Sequence, residues 1–312
     1  MKIDRLFGLT YPIIQGGMAN IATAQLAAAV SEAGGLGIIG SGGMDAAALR
    51  ENIRKCRTLT DRPFGVNLML MHPQIDELER VVREEQVSFV TTGAGMPGKY
   101  MAGWKAAGIT VMPVTSSVMM AKRLQDAGAD LIIAEGCESG GHVGEMTTMA
   151  LIPQMTDALD IPVVAAGGIA CGRQMAAAFA LGAAGVQMGT VFLTAEECPI
   201  HENYKKAVLK ARDNDTVVTG RIAGTPVRIL KNAMSREYVR KEKQGAGVEE
   251  LEMYTLGALR RAVFEGDTKT GSLMAGQVCG QLTTVRSAAQ IMADIEKEYR
   301  ETVKKMAAAE EE

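Results

Sequence analysis

The sequence predicts an α/β protein, a closed (β/α)8 TIM barrel with a small helical insertion after the eighth strand. Three observations predict it. Eight short β-like runs alternate with helical patterns over the first two thirds of the 312-residue chain. The runs are nearly all apolar, as parallel strands covered on both faces must be. Helices separate successive runs, and eight such units at this length suit a closed barrel better than an open sheet. A doubly wound sheet is the alternative, but its G-x-G-x-x-G turn after the first strand, with an acid further on, is absent.

The elements follow in order. Pro12-Ile13-Ile14-Gln15 is a strand that runs into Gly16-Gly17. Thr23 to Ala33 has helix composition, and Gly34-Gly35 stops it. Leu36 to Ile39 is the second strand, and Asp45 caps an amphipathic helix reaching Leu59. Phe64 to Met69, Ser88 to Thr92 and Thr110 to Val114 are strands three to five; the helices Ile75–Glu85 and Lys99–Ala107 lie between them. A helix from Ser117 to Ala127 ends at Gly128, and Asp130 to Ala134 is strand six. Helices at Met149–Leu159 and Arg173–Leu181 flank strand seven, Pro162 to Ala166, and Val186 to Gly189 is strand eight.

Residues 196 to 270 break this rhythm and are more charged. They are expected to form a small helical, substrate-binding subdomain over the mouth of a barrel built from residues 1–195 and 271–312. Ser287 to Glu312 is a charged amphipathic helix placed to close the barrel.

Composition narrows the function. With 33 basic and 36 acidic side chains, the net charge is −3, which gives no basic excess for nucleic acid. No apolar run reaches the roughly 18 residues of a membrane span, and Met1 to Arg5 leads into no signal core, so a cytoplasmic protein is expected. Five dispersed cysteines and three histidines make neither a disulfide framework nor a metal centre. Glycine is abundant, at 35 residues, which suggests loops where backbone approaches a ligand closely.

In this fold chemistry gathers on the loops after the strands. Ala166-Gly167-Gly168-Ile169 and Gln187-Met188-Gly189-Thr190 end neighbouring strands seven and eight. Bare amides there can converge on an anion, and Thr190 adds a hydroxyl donor, so the pair reads as a phosphate site; the plainer reading is two tight turns. After strand six comes Glu135-Gly136-Cys137-Glu138-Ser139-Gly140-Gly141-His142. A histidine in that loop can serve as a general acid near neutral pH, or simply face water. Cys137 has no basic neighbour in sequence to activate it and reads as packing. Asn67, at the rim of strand three, can meet a heterocycle edge or be a satisfied core amide. Met18 can lie against a flat ring or belong to the core. The basic run Lys231 to Lys243 is a solvated helix face or a seat for an acidic partner.

Taken in order, several segments resemble one family. They are Tyr11-Pro12-Ile13-Ile14-Gln15-Gly16-Gly17-Met18-Ala19, Ala33 to Gly40, Pro63-Phe64-Gly65-Val66-Asn67 and Thr91 to Gly95 with Lys99-Tyr100-Met101. Ala134-Glu135-Gly136, Gly140-Gly141-His142, the two glycine turns and Gly271 to Gln277 complete the set. The chain resembles the flavin-dependent type II enoyl-acyl carrier protein reductases of bacterial fatty-acid synthesis, in the superfamily they share with nitronate monooxygenases (2-nitropropane dioxygenases).

The resemblance implies bound FMN, with its phosphate near Gly167, Gly168, Gly189 and Thr190 beside Gln187 and Met188. It implies that Gly17, Met18, Ala19, Asn67, Glu135 and Gly140 border the flavin and that His142 is catalytic. NADH or NADPH would be co-substrate, acyl carrier protein would present the enoyl group, a monovalent cation would be an accessory ion, and the assembly would be a homodimer. Two positions depart from the family's pattern: Ser139 where Ala is common, and Val191 where Arg is common. Nitronate oxidation by O2 is the rival activity, although Ser88 to Gly95 resembles the reductases rather than the oxidases. A phosphate-binding barrel without redox chemistry is the rival of another class.

Overall fold

Strand alternation sends every second side chain into the barrel, and in the computed structural model, which describes residues 2–309, the two sets separate cleanly. The parallel strands are β1 (Ile13–Gln15), β2 (Gly37–Gly40), β3 (Phe64–Met69), β4 (Phe89–Gly93), β5 (Thr110–Thr115) and β6 (Ile132–Glu135). A two-residue strand β7 (Gly141–His142) belongs to another sheet, and β8 (Val163–Ala166) and β9 (Gly185–Met188) complete the eight. Their order is β1-β9-β8-β6-β5-β4-β3-β2. The ends close through Leu36, whose N–H donates to Ile13 O and whose carbonyl accepts from Gln15 N, both at 2.9 Å.

Ile14, Ile38, Phe89, Met112, Ile133, Val164 and Ala166 form the apolar interior. The helix α1 (Ile3–Phe7), absent from the sequence reading, plugs the floor with Ile3 and stacks Phe7 edge-on against Phe89 at 4.9 Å. The other face of each strand packs on helices: Ile13, Ile132, Val163, Val186 and Met188 on one side, Val66, Leu68, Val90 and Val111 on the other.

The helices α2 (Ala24–Glu32), α3 (Ala46–Leu59), α4 (Ile75–Glu84), α5 (Gly98–Ala106), α6 (Val118–Asp126), α7 (Thr148–Ala158) and α8 (Gly172–Ala180) lie where the apolar periodicity puts them. Asp45 caps α3 through the N–H of Ala48 at 2.8 Å, a contact worth about 1 kcal/mol. Gly34, Gly128 and Gly182 follow α2, α6 and α8 at φ values of 97°, 100° and 98°, a region that other residues enter only under strain. Among the described residues, no helix is long and apolar enough to cross a membrane.

Between residues 196 and 270 lie the helices α9 (Glu202–Lys210), α10 (Ala233–Lys243), α11 (Val248–Thr255) and α12 (Ala258–Arg260). They are joined by a hairpin that composition does not reveal, β10 (Thr216–Thr219) and β11 (Val227–Leu230). Its signal is local: two β-branched runs bounded by Gly220 and Pro226 inside a charged segment. The hairpin forms a three-stranded antiparallel sheet with β7. The chain ends in α13 (Ala288–Ala309), which packs on α8 and α2 and closes the helical ring. The last three residues of the helix expected to reach Glu312 lie outside the described residues.

Candidate active site

The mouth of the barrel is the carboxyl end of its strands. The inward positions there stop being apolar and become Asn67, Thr91, Glu135 and Gln187, a polar layer over an aliphatic one. Asn67 and Thr91 are register partners on β3 and β4, and the Asn67 amide donates to Thr91 Oγ1 at 2.9 Å. Thr91 was not singled out from sequence, although alternation from Phe89 points it inward. The segment after β1 folds over this layer, and a Cβ at Gly17 would overlap the Asn67 side chain. Met18 crosses to the far side, its Sδ 3.6 Å from where a Cβ on Gly189 would lie.

Gln187 is 7% exposed, and its Oε1 is buried with no hydrogen-bond partner. A buried acceptor left unmatched is costly, so the site is built for a donor that arrives with a ligand. Beside it lie the ends of β8 and β9. Gly167 and Gly168 have φ of 85° and 71°, and their N–H groups, like those of Gly189 and Thr190, donate to no described group. Thr190 Oγ1 accepts from Gly276 N at 2.9 Å, which leaves the hydroxyl proton free to donate outward. These uncommitted donors suit the phosphate of a mononucleotide, and the Gln187 acceptor and Asn67–Thr91 pair suit the polar edge of its heterocycle. The residues present therefore fit FMN. Met188 is the exception among the predicted set: its side chain is 1% exposed in the helix-facing core, so only its main chain faces the mouth. Val191, where the family's arginine would stand, is fully buried in that same core.

Glu135 ends β6 inside the mouth. Burial pushes its carboxyl pKa up to about 7, and the nearby Ser139 hydroxyl opposes the shift in part. This gives Ser139, the other departure from the family's pattern, a concrete effect. Because the folded carboxyl holds its proton more tightly than the unfolded one, stability falls as pH rises from the ordinary value of 4.5 through about 7. Glu135→Gln removes that titration. The variant should match wild type near pH 4 and exceed it by at most about 3 kcal/mol at pH 8, read from urea midpoints across pH. Identical pH slopes for the two proteins would show that Glu135 is not strained by burial.

The loop after β6 is held at many points. Cys137 N donates to Met146 O at 2.7 Å. Glu138 accepts from Thr148 N and Oγ1 at 3.0 Å, capping the start of α7. Gln277 N donates to Glu138 O at 2.9 Å, and a Cβ on Gly140 would press on Ala275 at 2.6 Å. The loop thus delivers His142 to β7, where it pairs with Val227 of β11. The His142 side chain remains exposed, yet lost hydration holds its pKa below the ordinary imidazole value. Burial raises the Cys137 thiol pKa, the wrong direction for a nucleophile. His72 and His201 stand apart, each accepting a backbone N–H two residues on at 3.1 Å.

With this geometry in view, the chain matches the profile of the family described as Nitronate monooxygenase over residues 2–84 and 74–298. It superposes on FabK from Thermotoga maritima with a TM-score of 0.96, at 48% identity over 98% of both chains. A nitroalkane oxidase from Streptomyces ansochromogenes gives 0.86 at 29% identity, over 97% of this chain and 99% of that one. A curated relative from Rhodococcus jostii, named a (3aS,4S,5R,7aS)-5-hydroxy-7a-methyl-1-oxo-octahydro-1H-indene-4-carboxyl-CoA dehydrogenase, is 40% identical over 73% of this chain. The match spans 65% of that protein's length.

Proposed function

Because the chain belongs to the nitronate monooxygenase family, we propose that this oxidoreductase is an enoyl-acyl carrier protein reductase, reducing the trans-2 double bond of enoyl thioesters with NADH or NADPH through bound FMN. FabK is the name carried by the reductases that the sequence resembles. The observation that carries the reading is the convergence of uncommitted donors at β8 and β9 with a histidine held over the same mouth. The 48% identity to FabK, against 29% to the nitroalkane oxidase, supports the reductase over the oxidase. A relative named for a carboxyl-CoA substrate adds support for thioester chemistry.

A flavin bound here supplies a hydride store between the nicotinamide and enoyl half-reactions. The chain's own residues do the rest. Amides of Gly167, Gly168, Gly189 and Thr190 grip the phosphate, and Gly17, Met18, Ala19, Asn67 and Gly140 wall the ring. Addition across the double bond places hydride on the β-carbon and a proton on the α-carbon, and His142 delivers that proton. Its lowered pKa makes the imidazolium a readier proton donor than an ordinary one, and Glu135, half protonated near pH 7, is a reservoir at the same mouth. The 196–270 segment acts as the substrate-binding piece on the 1–195 and 271–312 barrel, in a cytoplasmic homodimer. On α10, Arg240 and Lys241 are paired with Glu237 and Glu250. Arg236 and Lys243 are therefore the cations through which acidic acyl carrier protein docks.

The test is anaerobic. Protein loaded with FMN should bleach on adding NADH and regain its colour with a crotonyl thioester. Arg236→Glu with Lys243→Glu should raise KM for the carrier-bound substrate and leave the CoA thioester unaffected. Nitronate oxidation is the second reading, favoured by the family profile, and would appear as oxygen uptake with an alkyl nitronate and no bleaching by NADH. A protein that binds phosphate esters but neither bleaches with NADH nor takes up oxygen with an alkyl nitronate would exclude both.

A further inference from the structure

Arg228 is 7% exposed, yet among the described residues its guanidinium has no ion-pair partner. Burial lowers its pKa, and the carboxylate whose charge acts on it, Glu138, is committed to the start of α7. A buried guanidinium without a carboxylate is expensive. Its contacts show what it holds. Nε and Nη2 both donate to Cys137 O, at 3.2 and 2.9 Å, and Nη1 donates to Thr216 Oγ1 at 3.1 Å.

The main chain of the same residue pairs with Gly141, its neighbour Val227 pairs with His142, and Val143 N donates to Pro226 O at 3.1 Å. One residue of the insertion therefore grips the histidine loop at both ends: near its exit from β6 by side chain, and at β7 by backbone. Gly141 makes the crossing at φ 79°, a backbone conformation that glycine adopts without strain. At the hairpin tip, Arg221 pairs with Glu145 at 2.6 Å and fastens the far side.

We infer that Arg228 is the positioning residue of His142, so that the insertion, and not the barrel strand that bears the loop, sets where the imidazole stands. The role attributed to His142 rests on the proposed reading; the placement itself does not. Arginine suits the task because its rigid fork places two donors on one carbonyl, which neither lysine nor glutamine reproduces. The charged and titratable groups of the elements that meet at His142 are Glu135, Cys137, Glu138 and Glu145 on its own strand and loop, and Arg221 and Arg228 of the hairpin.

The test uses the full chain with 13C-labelled histidine, since only three histidines need assignment and His142→Ala identifies the relevant signal. In wild type the His142 signal should titrate below the ordinary imidazole range. In Arg228→Gln and Arg228→Lys, the freed loop should let its midpoint rise towards that range, while the His72 and His201 signals stay fixed. In the FMN-loaded protein, the same variants should reduce with NADH within about twofold of wild type and reoxidise with crotonyl thioester about tenfold more slowly or worse. An unmoved His142 titration in either folded variant overturns the inference. So does failure of both variants to fold, since the guanidinium would then serve the fold as a whole. If wild type fails the crotonyl assay but His142 moves in the variants, the proposed activity falls and the positioning role stands.

Discussion

Replacing His142 with alanine is expected to slow reoxidation by a crotonyl thioester by roughly 10²- to 10⁴-fold while reduction by NADH stays within about twofold. The asymmetry is the informative part. Hydride removal from a nicotinamide needs no proton from the protein, whereas saturating the enoyl bond needs one at the α-carbon. His142 stands at the end of a loop pinned at Cys137, Glu138, Gly140 and Gly141, so its loss removes a donor that the fold holds in place. The pH dependence follows from the direction of its shift. Burial holds the imidazole below its ordinary pKa, so the charged, proton-donating form grows only as pH falls through that lowered value. The enoyl half-reaction should therefore accelerate towards acid in wild type, and that limb should be missing in His142→Ala. Stopped-flow traces of the two half-reactions across pH decide it. Equal reoxidation rates in the two proteins would remove His142 from the chemistry.

The barrel is legible in the sequence because its determinants are short in range. A strand buried on both faces must be apolar, and a helix must end where Gly34, Gly128 or Gly182 lets the chain turn. The glycine turns after β8 and β9 are legible for the same reason, since a motif of four residues carries its own geometry. What escapes is built from pairs far apart in the chain. Arg228 meets Cys137 across 91 positions, and β7 exists only because β11 lies beside it. Beside the two β-branched runs of the hairpin, the local trace of this contact is an arginine inside the apolar run Val227-Arg228-Ile229-Leu230, a placement that requires a buried partner. The α1 plug escapes because its five residues are too few to show a period. Met188 shows the limit of reading a site by contiguity: it stands between two residues that face the mouth, and alternation turns its side chain away.

The same alternation, with the bare backbone beside it, supplies the test of the phosphate site. Gly167→Ala is a poor probe: φ is 85°, and the new Cβ would sit 2.6 Å from Gly136 O, so the variant would lose its fold before its ligand. Gly189 differs on both counts. Its φ is −115°, open to any residue, and a Cβ would find nothing nearer than Met18 Sδ at 3.6 Å. Gly189→Ala should therefore unfold at the wild-type temperature when free of ligand. If the phosphate lies against this stretch of main chain, the methyl takes the place of its oxygens and separates them from the amides of Gly189 and Thr190. Two charge-assisted hydrogen bonds at roughly 1.5 kcal/mol each amount to about a hundredfold in affinity. The expected result is a folded, nearly colourless protein whose FMN Kd, measured by fluorescence quenching, is weaker by that order, while riboflavin, which lacks the phosphate, binds both proteins alike. A Gly189→Ala protein that retains wild-type FMN affinity would place the phosphate elsewhere and undo the assignment of these turns.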